Sequence, residues 1–258
     1  VNYLRRASGL WCPDYHLRFP PERGFAQPNY ILPGHFPAGA VARAASAATK
    51  TFEIVDDTGL VDGEETNKSD TMSVSSLPFG DAEATRRLFA MLTWRAGTSR
   101  NLDGVTIGGE TAVIHVQQDN GGAVAGCAIA SALVASGTSG TVVASFDGKV
   151  RNLGVKMFRA TNLENSAPTS AQSATDGNGN PSLSIPTYDN GYLLAAVAYT
   201  AFVTTTWTGP TEVYDDIVED HSCSGAWIWP SSSAGSPLTV DAQGSSSPNA
   251  ALVAVSGF

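Results

Sequence analysis

The sequence predicts an all-β protein: a jelly-roll-like antiparallel β-sandwich built from an internal five-strand repeat, with an extended N-terminal arm. Three observations carry this expectation. The 258 residues include 26 glycines and 14 prolines with only 15% charged residues, a turn-rich composition. Short apolar runs recur between turn signals such as Asp119-Asn120-Gly121-Gly122, Gly137-Thr138-Ser139-Gly140, Asp147-Gly148 and Asp176-Gly177-Asn178-Gly179-Asn180. Finally, a strand–glycine turn–strand stretch over 103–113 recurs over 205–214, with Thr106, Gly109, Thr111 and Val113 aligned on Thr206, Gly209, Thr211 and Val213.

The neighbours of that hairpin repeat too. An apolar strand precedes it at 87–94 and again at 191–199, and three strands follow it each time, at 126–129, 141–146 and 154–158, then at 225–228, 238–241 and 252–255. Two such units, each with an apolar face, would bury those faces against each other or interleave their strands. Either arrangement gives one shared core over 51–258 and one domain. Ahead of the repeat come a strand at 51–55, an acidic loop over 56–70, a polar strand near 71–75 and a turn at 79–81. The segment 81–94 is ambiguous, because Asp81 could cap a helix; strand is expected from Arg86 onward, by analogy with 192–199.

Residues 1–50 read as a docking arm. They hold six Lys or Arg against Asp14 and Glu22, a net charge of +4, whereas the other 208 residues hold nine basic and 22 acidic residues, a net −13. They also carry seven aromatic residues and six prolines with no sustained period. Rings interleaved with arginines suit an extended peptide lying along a partner. The contact residues expected are Tyr3, Arg5, Arg6, Trp11, Tyr15, Arg18, Phe19, Arg23, Phe25, Tyr30 and Phe36. The plainer alternative is an arm wrapped on its own domain. The alanine-rich 38–50 would be a short helix or a connector. Neither a signal peptide nor a membrane span is expected, and the first residue, Val1, fits a GTG start or a processed end. An acidic body argues against nucleic acid as the main partner.

Candidate chemistry is sparse. Cys12, Cys127 and Cys223 cannot all pair within the chain, and their spacing fits neither zinc nor a redox motif. His16, His35, His115 and His221 are scattered, and no nucleophile elbow surrounds any serine. The loop at Asp176 begins like a calcium loop, but Pro181 replaces the required glycine and Thr187 the bidentate glutamate. Asp215, Asp216, Glu219 and Asp220 offer paired carboxylates for glycoside hydrolysis, though such a run more simply makes a solvated loop. Trp207, Trp227 and Trp229 could stack sugars; two of them share one strand face, which more simply belongs to a core. No catalytic residue, metal or cofactor is expected.

Over about two thirds of the chain, the pattern resembles a bacteriophage and prophage virion module. The matching stretches are Val105-Thr106-Ile107-Gly108-Gly109, Gly137-Thr138-Ser139-Gly140-Thr141-Val142-Val143, Thr161-Asn162-Leu163, Trp207-Thr208-Gly209 and the terminal strand over 250–258. The resemblance implies a non-enzymatic minor head decoration, fibre or tail protein of a phage-like particle. Such a protein would fold in the bacterial cytoplasm, form homo-oligomers and contact capsid, portal or tail subunits. The first 75 residues have no counterpart in that pattern. A glycan-binding host-recognition module is the alternative, and a glycosidase using the carboxylates between Asp215 and Asp220 a third.

Overall fold

The computed structural model describes residues 3–5, 11–13, 49–55, 69–121, 124–229 and 236–257. The chain divides into two compact units, Val1–Ser46 and Ala47–Phe258. In the first, β1 (Tyr3–Arg5) pairs antiparallel with β2 (Trp11–Pro13), Arg5 opposite Trp11. The remaining arm positions expected to make contacts, Arg6, Tyr15, Arg18, Phe19, Arg23, Phe25, Tyr30 and Phe36, lie outside the described residues, as do 56–68 of the acidic loop.

The second unit is all-β, with no helix among the described residues. Its first half holds β3 (Thr51–Ile54), β4 (Ser69–Pro78), β5 (Arg87–Arg95), β6 (Leu102–Ile107), β7 (Glu110–Thr111), β8 (Val113–Asp119), β9 (Ala125–Leu133), β10 (Ser139–Val150) and β11 (Asn152–Thr161). Its second half holds β12 (Ser170–Asp176), β13 (Ser182–Pro186), β14 (Tyr192–Tyr199), β15 (Thr205–Thr208), β16 (Thr211–Val218), β17 (His221–Ile228), β18 (Pro237–Gly244) and β19 (Ala250–Gly257).

Four antiparallel sheets result. The inner sheets run β3-β11-β5-β9-β8 and β12-β19-β14-β17-β16; the outer ones run β4-β10-β6-β7 and β13-β18-β15. Reading β3 against β12, β4 against β13 and onward, the strand order is the same in both halves. The first half thus has nine strands, including the two expected at 51–55 and near 71–75, and the second has eight, of which the polar β12 and β13 are not among the five expected there. Gly109 and Gly209 occupy matching turns, and both have positive φ, at 89° and 101°.

The sheets stack in layers separated by three apolar cores. Val74, Leu77, Leu92, Trp94, Ile107, Val142 and Val155 fill the space between the first outer and first inner sheets. Ile185, Leu193, Val197, Val240 and Leu252 do so in the second half. Phe89, Met91, Cys127, Ile129 and Phe158 meet Leu194, Ala196, Cys223, Val253 and Val255 between the two inner sheets. The single shared core expected over 51–258 is thus three layers of side chains. Both inner sheets are covered on both faces, which is why β5, β14 and β19 read as unbroken apolar runs. The outer strand β4 alternates buried Met72 and Val74 with exposed neighbours, as a sheet wet on one face should.

The two halves differ at one corner. In the first, the chain passes at Ala112 from the outer sheet, where β7 pairs with β6, to the inner sheet, where β8 pairs with β9. In the second, all of β16 stays with β17. There the Asp215 carboxylate accepts the Thr205 N–H (2.9 Å) and hydroxyl (3.0 Å), so a side chain makes the link to β15 that a backbone ladder makes in the other half.

Candidate functional site

One group of ionisable side chains spans the seam between the halves. Asp220, in the β16–β17 turn, faces first-half residues: Asn152 Nδ2 at 2.9 Å, Arg151 Nη1 at 3.4 Å and Arg95 Nε at 3.5 Å. Arg95 Nη1 also donates to the carbonyls of Thr200 and Asp220, both at 2.6 Å. The acidic run expected to be a solvated loop is therefore not one. Asp215 and Asp216 lie in β16, and Asp220 is tied down by first-half cations. Asp215 and Asp220 both hold structural hydrogen bonds with their carboxylates.

Beside this clasp sits His221, fully buried, its Nδ1 3.9 Å from Asp220 Oδ1. Burial pushes its pKa down to about 4; Asp220 opposes the shift and Arg95 adds to it. The neutral ring is favoured in the fold, so between pH 6.5 and 4 the unfolded chain binds the extra proton. Stability should fall as pH drops through that window, with this residue contributing about 3 kcal/mol once below it. Urea unfolding at pH 7.0, 5.5 and 4.5 checks this. His221→Phe should flatten the decline relative to the parent, and an unchanged decline would show that His221 is not its source.

One Ser–His pair occurs among the described hydrogen bonds: His115 Nε2 lies 2.7 Å from Ser131 Oγ, which also accepts from Arg87 Nη1 at 3.1 Å. Ser131 is fully buried. Burial and the Arg87 charge push His115 down to about 4, making it a weak base at neutral pH. The pair holds β8, β9 and β5 together; it offers no nucleophile to a substrate.

Asp176 likewise serves its own turn, with Oδ2 accepting the N–H groups of Asn178 (3.0 Å) and Asn180 (2.8 Å). Among the described residues, no three His, Cys, Asp or Glu gather as a metal site would require. Cys127 and Cys223 are buried in the seam core, where Cys127 donates to the Ala251 carbonyl and Cys223 to that of Asp216.

The three tryptophans considered for glycan contact are half-buried. Trp207 packs on the second-half core and donates Nε1 to Ser224 Oγ at 2.7 Å. Trp227 and Trp229 pack at one end of the seam around Phe52, their ring centroids 5.5 and 6.1 Å from its own. Phe52 in turn stacks on Tyr192 at 4.4 Å. Sheet position brings Trp227 and Trp229 together and leaves Trp207 in a different core.

The surface concavities are shallow. One of about 440 Å³ is lined by Gly108, Gly109, Gly137, Gly140 and Thr141 over Phe79, joining two of the glycine motifs that are far apart in sequence. Another, of about 200 Å³, lies between Phe202 and Ile217, with Thr204 and Ser245 beside them. Residues 160–258 carry nine Asp or Glu and no Lys or Arg, an asymmetry that a two-way split at residue 50 conceals. Against known proteins the chain finds no counterpart: no family model, no curated protein and no solved structure matches it.

Proposed function

We propose that the chain is a non-enzymatic structural component of a phage-like virion, a minor head decoration, fibre or tail protein held to another virion subunit through residues 1–50. Each half is read as a jelly roll and their common strand order as an internal duplication. The observation carrying the proposal is the way the body spends its reactive groups. The Asp215 and Asp220 carboxylates, the Ser131–His115 pair and the Asp176 loop all brace sheets or turns. A body with this use of polar groups suits a rigid module, and the basic, aromatic stretch at 1–50 suits its attachment, with ordering entropy offset by buried rings and by many copies acting together. The glycan-binding alternative rests on the ring surface that Trp207, Trp227 and Trp229 leave open, which their half-burial reduces.

Composition of purified particles tests the role. The chain should co-sediment with particles through a density gradient in fixed copy number, and deleting its gene should yield particles lacking that band. Particles without the chain in the parent strain would refute a virion role.

A further inference from the structure

The second half has a surface feature that the anchoring role leaves unused. Phe202 and Ile217 are 61% and 62% exposed, the two most exposed large apolar side chains among the described residues, and they line the same depression. Ile217 belongs to β16, the edge strand of an inner sheet, and beyond the Asp215–Thr205 link to β15 that edge has no ladder partner among the described residues. The same strand and its turn carry Glu212, Asp215, Asp216 and Glu219. Partial burial, with the neighbouring Asp215 charge adding to it, raises the Glu212 carboxyl above its ordinary value. With no Lys or Arg anywhere in residues 160–258, this half supplies no cation of its own.

We propose that the β16 edge, with the depression between Phe202 and Ile217, is a docking site for an extended basic segment of a partner protein that places an apolar side chain between those two residues. Charge complementarity fixes the sign of the partner, and the alternation of a strand fixes its pattern: cations toward the acidic rim and an apolar residue toward the depression. The proposal rests on the reading of residues 1–50 as the anchor in one respect, that this chain's own basic stretch is engaged elsewhere.

Fluorescence anisotropy on the intact chain tests it with labelled heptapeptides at 50 and 500 mM salt. A peptide alternating lysine with leucine should bind and weaken at high salt. Peptides alternating lysine with serine, or glutamate with leucine, should bind at least tenfold more weakly. The double variant Phe202→Ser/Ile217→Ser leaves the charge unchanged and should lose at least tenfold in affinity, with an unchanged melting temperature. Leu133→Ser, at an exposed apolar site outside the depression, should bind as the parent does. Equal binding by parent and double variant would overturn the site, and equal binding of the lysine–serine peptide would overturn the apolar contact. A peptide of residues 1–24 that outcompetes the lysine–leucine peptide would overturn the assignment to a partner protein, making the occupant the N-terminal segment of this chain or of a second copy. Particle incorporation is read by co-sedimentation and not by these assays, so failure of the docking site and failure of the virion reading are distinguishable.

Discussion

Replacing Arg86 with methionine is expected to destabilise the protein by about 3–5 kcal/mol. Arg86 is 0% exposed, and its guanidinium donates to five main-chain carbonyls. Nε reaches Val134 at 2.7 Å; Nη1 reaches Phe79, Gly80 and Asp81 at 3.3, 2.9 and 3.0 Å; Nη2 reaches Ser136 at 2.7 Å. These carbonyls belong to two loops, one entering β5 and one leaving β9, that have no ladder to satisfy them. Methionine matches the length but strands the acceptors, and the cost is theirs more than that of the lost charge. Arg86→Lys keeps the charge but offers three donors to five acceptors, so it should fall between the parent and Arg86→Met. Urea unfolding of the three proteins gives the order. A loss below about 1 kcal/mol for Arg86→Met would show that water replaces the guanidinium at little cost.

Gly225→Val is the second large effect, of about 3 kcal/mol or more. Gly225 in β17 lies at the seam, against Tyr214 and, from the first half, Met91. A Cβ there would come within 2.3 Å of the Tyr214 ring and 3.0 Å of the Met91 sulfur, the latter from the first half. Tyr214 also donates its hydroxyl to that sulfur at 3.8 Å, so the ring cannot swing away without breaking the contact across the seam. Gly225→Ala should cost less than Gly225→Val, and hydrogen exchange should show β5 and β14 losing protection together. Loss of protection in the second half alone would mean that the seam does not couple the halves.

Much of the architecture is legible in the sequence, for a definable reason. Apolar runs such as those of β5, β14 and β19 report burial on both faces, and burial on both faces requires layers on either side. What such runs do not report is which layer covers them. The three-core stack, and the switch of sheets at Ala112, arise from pairings between residues far apart in the chain. Polar strands such as β12 and β13 bury few side chains, Leu183 and Ile185 being the ones β13 sends into the core, so they leave little trace. The acidic run shows the same limit in its chemistry. Asp220 is fixed by Arg151, 69 residues away, and its carbonyl by Arg95, 125 residues away. A local reading of Glu219 and Asp220 cannot distinguish that clasp from a solvated loop. The open edge at Ile217 was also hidden, because an exposed isoleucine looks like a core one until its strand is placed.

The most direct test of the attachment account uses particles that lack this protein. Intact chain and the variant Arg5→Glu/Arg6→Glu/Arg18→Glu/Arg23→Glu would be mixed with them separately and pelleted. The account predicts that the intact chain pellets with the particles, while the variant, with the same circular dichroism and melting temperature, loses at least ten-fold in affinity. Equal pelleting of the two proteins would contradict it and move the attachment onto the β surface.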